Sequence, residues 1–179
     1  MNITTLLILV SLSIFAAYNI YILISFGVPE NISITYYHLE QKRRGLGLLF
    51  PAMVVISCTT MLITWLDIEQ ILDDNFRSYH FLIMITALST FFVAALSNYK
   101  RSRLQTIIHY TAAIIASIAG LAWILIADFH MLYIPLITLL LVALAAWLTN
   151  TYKHQILFWL ELIAIYSIQI ALFILSITL

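Results

Sequence analysis

The chain has 179 residues, of which 64% are hydrophobic and only 9% are charged. A soluble domain averages about 45–50% apolar and ~25% charged residues, so this composition predicts an integral membrane protein in contact with a lipid bilayer. Eight Lys and Arg balance eight Asp and Glu, and the single cysteine has no partner in the chain. This charge balance excludes a nucleic-acid-binding surface, and one cysteine excludes a disulfide framework or a multi-cysteine zinc site.

Uncharged stretches divide the chain into candidate membrane spans. Residues 1–29, 45–66, 78–99, 104–127 and 129–152 carry no charge, and residues 154–179 carry only Glu161. Each stretch has the ~20 residues that a helix needs to cross a hydrocarbon core of ~30 Å. The apolar runs do not alternate as the strands of a membrane β-barrel do. We predict an all-α fold with residues 1–179 as one transmembrane domain, a bundle of six helices at about 4–26, 46–66, 79–98, 105–126, 131–149 and 155–177.

The distribution of Lys and Arg predicts the orientation of this bundle. Seven of the eight basic residues fall in the connections after the first, third and fifth helices. By the positive-inside rule these connections face the cytoplasm, so both termini are predicted to be non-cytoplasmic. The first apolar run is longer than the 7–15 residues usual for a signal-peptide core, and no basic residue precedes it. We therefore expect a multi-pass protein of the bacterial inner (cytoplasmic) membrane that keeps its first helix.

The connection after the first helix is the longest on the predicted inner side. Pro29 ends the helix, and Asn31 or Ser33 can cap a short helix within an interfacial segment at 30–44. A functional interpretation is a lid or head-group-binding segment that uses Ser33, Thr35, Tyr36 and His38. The structural alternative is an interfacial turn that anchors the first helix to the second.

The predicted outer connections carry acidic and histidine side chains. Residues 67–77 contain carboxylates that could hold a hard cation, but the glycine and spacing of a calcium loop are missing. We therefore expect a solvated loop and predict no metal and no cofactor. His80, Asp128 and His130 lie at predicted helix ends, where capping is the expected role.

Two ionisable residues are predicted to lie within the membrane, where such groups are costly and indicate function. At 1.5 Å per residue, Glu161 lies ~12 Å and His109 ~9 Å from the inner ends of their helices. A buried His–Glu pair can share a proton near neutral pH, as a proton relay or an acid–base pair requires. His154 and His38 are expected near the same inner interface. The structural alternative is that His109 and Glu161 simply join two helices.

Polar stripes predict which helices line the interior. Ser and Thr recur at helical spacing on the second and third helices, whereas the fifth is almost entirely apolar. We expect the second, third, fourth and sixth helices to line the interior and the fifth to face lipid.

Three short motifs carry a resemblance to known proteins: Ser33-Ile-Thr-Tyr-Tyr37, His109-Tyr-Thr-Ala-Ala113 and Trp159-Leu-Glu161. With them, the chain resembles small six-helix bacterial membrane proteins and is more distantly similar to the Frag/DRAM/Sfk-type membrane proteins. That resemblance implies a six-helix fold and no particular activity. Ser33, His38 and Asp128 also resemble part of the site of ceramidase/progestin-receptor-like membrane hydrolases, although the paired His-x-x-x-His and one helix are missing.

These observations favour one function and leave two alternatives. The favoured function is binding or transport of a small solute, a lipid head group or a proton. Its predicted site comprises His109, Glu161, His154, Ser33, Tyr36 and His38. The alternatives are a metal-dependent intramembrane lipid hydrolase or transferase, and a non-catalytic subunit of a membrane assembly.

Overall fold

A computed structural model describes residues 3–72, 79–151 and 155–179. These residues form seven α-helices and contain no β-strand, in agreement with the predicted all-α fold. The helices are α1 Ile3–Phe26, α2 Thr35–Lys42, α3 Leu49–Ile71, α4 His80–Ala95, α5 Arg103–Ala127, α6 Tyr133–Leu148 and α7 Ile156–Thr178. Short 3₁₀ turns at Leu46–Leu48, Tyr99–Arg101 and Phe129–Leu132 precede α3, α5 and α6.

Five stretches of the described chain are long and apolar enough to cross a membrane. They are Ile3–Phe26, Leu46–Ile71, Arg103–Ala127, Phe129–Leu148 and Ile156–Thr178. The remaining apolar helix, α4, has 16 residues, which span ~24 Å at 1.5 Å per residue and fall short of a ~30 Å core. The protein is therefore polytopic and associates with a lipid bilayer through five candidate spans.

Helix α3 extends beyond the predicted end at residue 66. Ile68 is fully buried, and Asp67 accepts a hydrogen bond from the Thr4 hydroxyl of α1 at 3.0 Å. These contacts keep the chain helical as far as Ile71, so the expected outer loop begins later than predicted. Its remaining charged residues, Asp73, Asp74 and Arg77, lie outside the described residues.

The bundle is built from α1, α3, α4, α5 and α7, while α6 packs mainly against α7. The exposed leucines of α6, such as Leu140 at 70% exposure, agree with its predicted lipid-facing position. On α5, buried alanines and Gly120 allow close approach of the neighbouring helices. A Cβ on Gly120 would lie 2.7 Å from Ile168 Cδ1 and 3.3 Å from Trp65 Cη2, so α3 and α7 both pack directly on this backbone.

The chain between α1 and α2 is buried against the helices of the bundle. Asn31, Ile32, Ser33, Ile34 and Thr35 are each at most 5% exposed. We call residues 29–35 the inserted segment. Its two isoleucines favour burial because the removal of apolar surface from water is favourable. Only the following helix, α2, retains the partly exposed character that the sequence predicted.

Candidate binding site inside the bundle

The first turns of α7 hold the inserted segment through two hydrogen bonds. Oε2 of Glu161 accepts a hydrogen bond from the backbone N–H of Ile32 at 2.6 Å. The N–H of Phe158 lies in the first turn of α7, where it has no intrahelical acceptor, and it donates to the carbonyl of Glu30 at 3.1 Å. The helix therefore supplies both a donor and an acceptor to one short stretch of irregular backbone.

Side chains from α1 and α5 complete the hydrogen bonding of the inserted segment. Oδ1 of Asn31 accepts from the N–H of Ile34 at 2.7 Å, while its Nδ2 donates to the Tyr110 hydroxyl at 3.3 Å. The Thr35 hydroxyl donates to the carbonyl of Ile32 at 2.5 Å and is hydrogen-bonded to the Tyr18 hydroxyl. Irregular backbone can persist at membrane depth only when such partners are supplied by the protein.

Two adjoining cavities, of about 90 and about 100 Å³, run through the centre of the bundle above this segment. We call them together the chamber. Residues that line both cavities include Phe15, Met53, Thr90, Ala116, Ser117 and Ile165. The predicted lining by α3, α4, α5 and α7 is therefore present, and α1 and the inserted segment contribute as well.

The chamber carries hydrogen-bonding groups in both of its cavities, and the lining that they share is mostly apolar. Glu161 and Ser33 line the cavity next to the inserted segment, which we call the inner cavity. Gln169 and Ser57 line the other, which we call the outer cavity. Gln169 is fully buried, and its Nε2 donates to the Ser11 hydroxyl at 2.9 Å. Within the described chain, Gln169 Oε1 and Ser57 Oγ have no hydrogen-bond partner. Glu161 and Gln169 are eight residues apart on α7, a rise of ~12 Å.

His109 is fully buried but does not pair with Glu161. Its ring stacks on Tyr99 with centroids 4.4 Å apart and planes at 14°, and it meets the edge of Tyr110. The backbone carbonyls of Val93 and Leu96 lie near the ring. No hydrogen bond or ion pair joins His109 to Glu161 among the residues that the structure describes.

The remaining predicted site residues are dispersed. Ser33 is buried and lines the inner cavity, which Glu161 also lines. The His38 ring stacks on Phe26 with centroids 5.6 Å apart, and Tyr36 makes an edge contact with Tyr37. His154 lies outside the described residues. Ser33 and Glu161 thus share a cavity, whereas Tyr36 and His109 belong to a series of ring contacts through Tyr37 and Tyr99, and His38 stacks elsewhere.

A His–Glu pair does form, at the opposite end of the bundle, where sequence reasoning expected a solvated loop and a capping histidine. Nδ1 of His80 lies 2.6 Å from Oε2 of Glu69; the His80 side chain is 43% exposed and that of Glu69 is 8% exposed. The sequence did contain one signal for this pair, since Glu69 follows the buried Trp65 by four residues and shares its helix face.

Metal-ligating side chains are scattered in the described part of the chain. Across residues 3–72, 79–151 and 155–179, no group of three or more His, Cys, Asp or Glu side chains is placed to hold a metal ion. The acidic residues at 73 and 74 and the histidine at 154 fall outside these ranges.

Comparison with known proteins identifies no relative of this chain. No protein-family model matches it, and no curated protein or solved structure is detectably similar to it. The resemblance to small six-helix bacterial membrane proteins therefore stays a prediction. The description that the fold supports is a polytopic, all-α membrane protein with five candidate spans.

Proposed function

We propose that this protein binds a small, mostly apolar molecule in the chamber, with a cationic or hydrogen-bond-donating head group placed at Glu161. The observation that carries the proposal is a carboxylate on the wall of a cavity whose other lining residues are nearly all apolar. An acidic side chain inside a membrane protein is costly to keep and indicates function. Oε2 of Glu161 accepts a hydrogen bond from the Ile32 N–H. No described residue donates to Oε1, so this oxygen is an acceptor for a ligand.

The size of the chamber supports a small occupant. An engineered apolar cavity of ~150 Å³ holds one benzene molecule, whereas pockets for drug-sized ligands measure ~300–1,000 Å³. The two adjoining cavities, of about 90 and about 100 Å³, suit a single ring or a short alkyl chain. The free acceptor on Gln169 gives the far end of the chamber a place for a second donor or a water molecule.

The proposed orientation places Glu161 in the cytoplasmic half of a bacterial inner membrane. It requires that α4 crosses despite its length, which is reasonable because α4 packs against both α3 and α5 and a short helix can be matched by local thinning of the bilayer. Six crossings then put both termini outside and the basic connections inside.

Binding is favoured over the alternative of a metal-dependent lipid hydrolase. That alternative needs Ser33, His38 and His109 to converge with Glu161 on one reacting centre. Stacking on Phe26 and on Tyr99 keeps the two histidines in separate places. A role as an assembly subunit is a further outcome that the following experiment can favour.

Binding of three six-carbon compounds tests the proposal. Hexylamine, hexan-1-ol and hexanoate are titrated against the protein in nanodiscs, and binding is followed by the fluorescence of the Trp residues, because Trp65 lines the outer cavity. We expect hexylamine to bind at least about tenfold more tightly than hexanoate, the effect of ~1.4 kcal/mol. E161Q should remove this preference.

The matched control is E30Q, which neutralises an exposed acid within the inserted segment. It should keep the preference for hexylamine. Absence of saturable binding of all three compounds, or an unchanged preference in E161Q, would overturn the proposal and favour the assembly-subunit alternative.

A further inference from the structure

Six basic side chains come together on the surface at the end of the bundle that contains the inserted segment. They lie in two parts of the sequence and are all exposed: Lys42, Arg43, Arg44, Lys100, Arg101 and Arg103. Lys42 is the last residue of α2, and Arg43 and Arg44 follow it, whereas Lys100 and Arg101 lie between α4 and α5 and Arg103 begins α5. We call these six residues the basic surface.

Tyr37 joins the two halves of the basic surface. Its hydroxyl donates a hydrogen bond to Oδ1 of Asn98 at 3.0 Å and accepts one from the N–H of Lys100 at 2.7 Å. Nζ of Lys100 lies 5.7 Å from the centroid of the Tyr37 ring, and Tyr99 packs edge-on against the same ring. Burial raises the pKa of Tyr37, so the phenol keeps its proton and its donor role at neutral pH.

The neighbouring acid, Glu40, forms no ion pair with these cations in the described part of the chain. Oε2 of Glu40 accepts hydrogen bonds from the N–H groups of Gly45 at 2.8 Å and Gly47 at 3.2 Å, so the carboxylate closes the turn after α2. Gly45 has φ +88°, a conformation that a glycine adopts without strain. In the described part of the chain, no ion pair engages any of the six cations.

The surroundings of the basic surface suit a membrane lipid more than a dissolved anion. Nζ of Lys42 lies 5.4 Å from the centroid of Tyr21 and 5.5 Å from that of Phe26. Leu48 and Leu104, which flank the two basic clusters, are 63% and 66% exposed. Aromatic rings, cations and exposed leucines together match the boundary between lipid head groups and acyl chains.

We propose that the basic surface is a binding site for the phosphoryl head groups of anionic lipids, assembled by Tyr37 from two parts of the chain. Arg43, Arg44, Arg101 and Arg103 offer guanidinium groups, whose forked donors fit phosphate oxygens. The adjacent leucines accommodate the acyl chains. This site is separate from the chamber and does not rest on the ligand proposed there.

Native mass spectrometry of the purified full-length protein tests the site. The protein is exchanged into mixtures of phosphatidylglycerol and phosphatidylcholine with the same acyl chains, and the retained lipids are counted. We expect a preference for phosphatidylglycerol that falls about fivefold for each cation removed near the surface. The double variants R43Q/R44Q and R101Q/R103Q should each reduce the preference, and the quadruple variant that combines them should abolish it.

The tyrosines provide the test of assembly. Y37F removes the hydroxyl that holds Asn98 and Lys100, whereas Y36F is a matched control because the Tyr36 hydroxyl makes no hydrogen bond within the described residues. We expect Y37F, but not Y36F, to weaken retention of phosphatidylglycerol. Equal retention in Y37F and wild type would overturn a jointly assembled site. Displacement of the lipid by millimolar inorganic phosphate would show that the site binds a dissolved anion and would overturn its assignment to lipid. An unchanged preference for phosphatidylglycerol in the quadruple variant would overturn the site altogether.

Discussion

The backbone N–H of Ile32 donates a hydrogen bond to the Glu161 carboxylate at 2.6 Å, although the two residues are 129 positions apart in the chain. A hydrogen bond to a charged group contributes ~1.5–3 kcal/mol, and a buried N–H left without an acceptor costs ~1–3 kcal/mol. Glu161 therefore has two roles: it holds the inserted segment with Oε2 and lines the chamber.

These roles can be separated by two substitutions at the same position. E161Q keeps a carbonyl oxygen for the Ile32 N–H, so we expect a loss of at most ~1 kcal/mol of stability. E161L removes every acceptor and should cost ~1–3 kcal/mol. Thermal unfolding in detergent gives the ranking, and hydrogen exchange of a peptide covering residues 28–36 should accelerate in E161L much more than in E161Q. Equal exchange in both variants would contradict the importance of this hydrogen bond.

Gly120 is expected to tolerate no side chain unless Ile168 is shortened. G120A places a methyl group 2.7 Å from Ile168 Cδ1, and overpacking of this kind costs ~1–3 kcal/mol. Because I168V removes the clashing atom, the double variant should be more stable than the sum of the two single changes predicts. A double-mutant cycle of thermal stability measures this coupling. Purely additive effects would show that the two positions do not touch.

The Glu69–His80 pair is expected to depend on both partners. H80A leaves a largely buried carboxylate without its 2.6 Å contact, which should destabilise the protein by ~1–3 kcal/mol. E69Q/H80A should recover part of this loss, because a neutral amide is less costly to leave unpaired than a carboxylate. The comparison is made by thermal unfolding at pH 7. If the double variant were less stable than H80A, the cost would arise elsewhere than from the unpaired charge.

The proposed six crossings predict which positions share one side of the membrane. In a Cys58→Ala background, single cysteines at the exposed positions Gln41, Ser102 and Asn150 should react with a membrane-impermeant maleimide only after the cytoplasmic side is opened. A cysteine at Phe129, also exposed, should react in intact cells. Labelling of Ser102 and Gln41 variants from opposite sides would show that α4 does not cross.

Much of the fold could be predicted because charge is so unevenly spread along the chain. Long uncharged runs give the apolar helices, and the lack of polar residues on α6 predicts its peripheral place. The end of α3 could not be found in this way, because Asp67 and Glu69 are accommodated within the helix by Thr4 and His80. Charged residues end a span only when no neighbouring helix offers them a partner.

The site was harder to predict than the fold. Glu161 and Ser33 were recognised as candidates, but the partner of Glu161 is a backbone amide, which has no signature in the sequence. His109 was expected to face Glu161, but its imidazole ring stacks on the ring of Tyr99 instead. Because Tyr99 belongs to a connection between helices, nothing in its spacing indicated that it packs inside the bundle.

The Ile32–Glu161 hydrogen bond also has a consequence for biogenesis. Ribosomes add roughly 5–20 residues per second, so the acceptor emerges some 6–26 s after the amide that needs it. During that interval the inserted segment has neither Glu161 nor the N–H of Phe158. A helix synthesised long after the inserted segment thus completes the hydrogen bonding of that segment, and truncation before α7 should leave the segment without these partners for quality control to recognise.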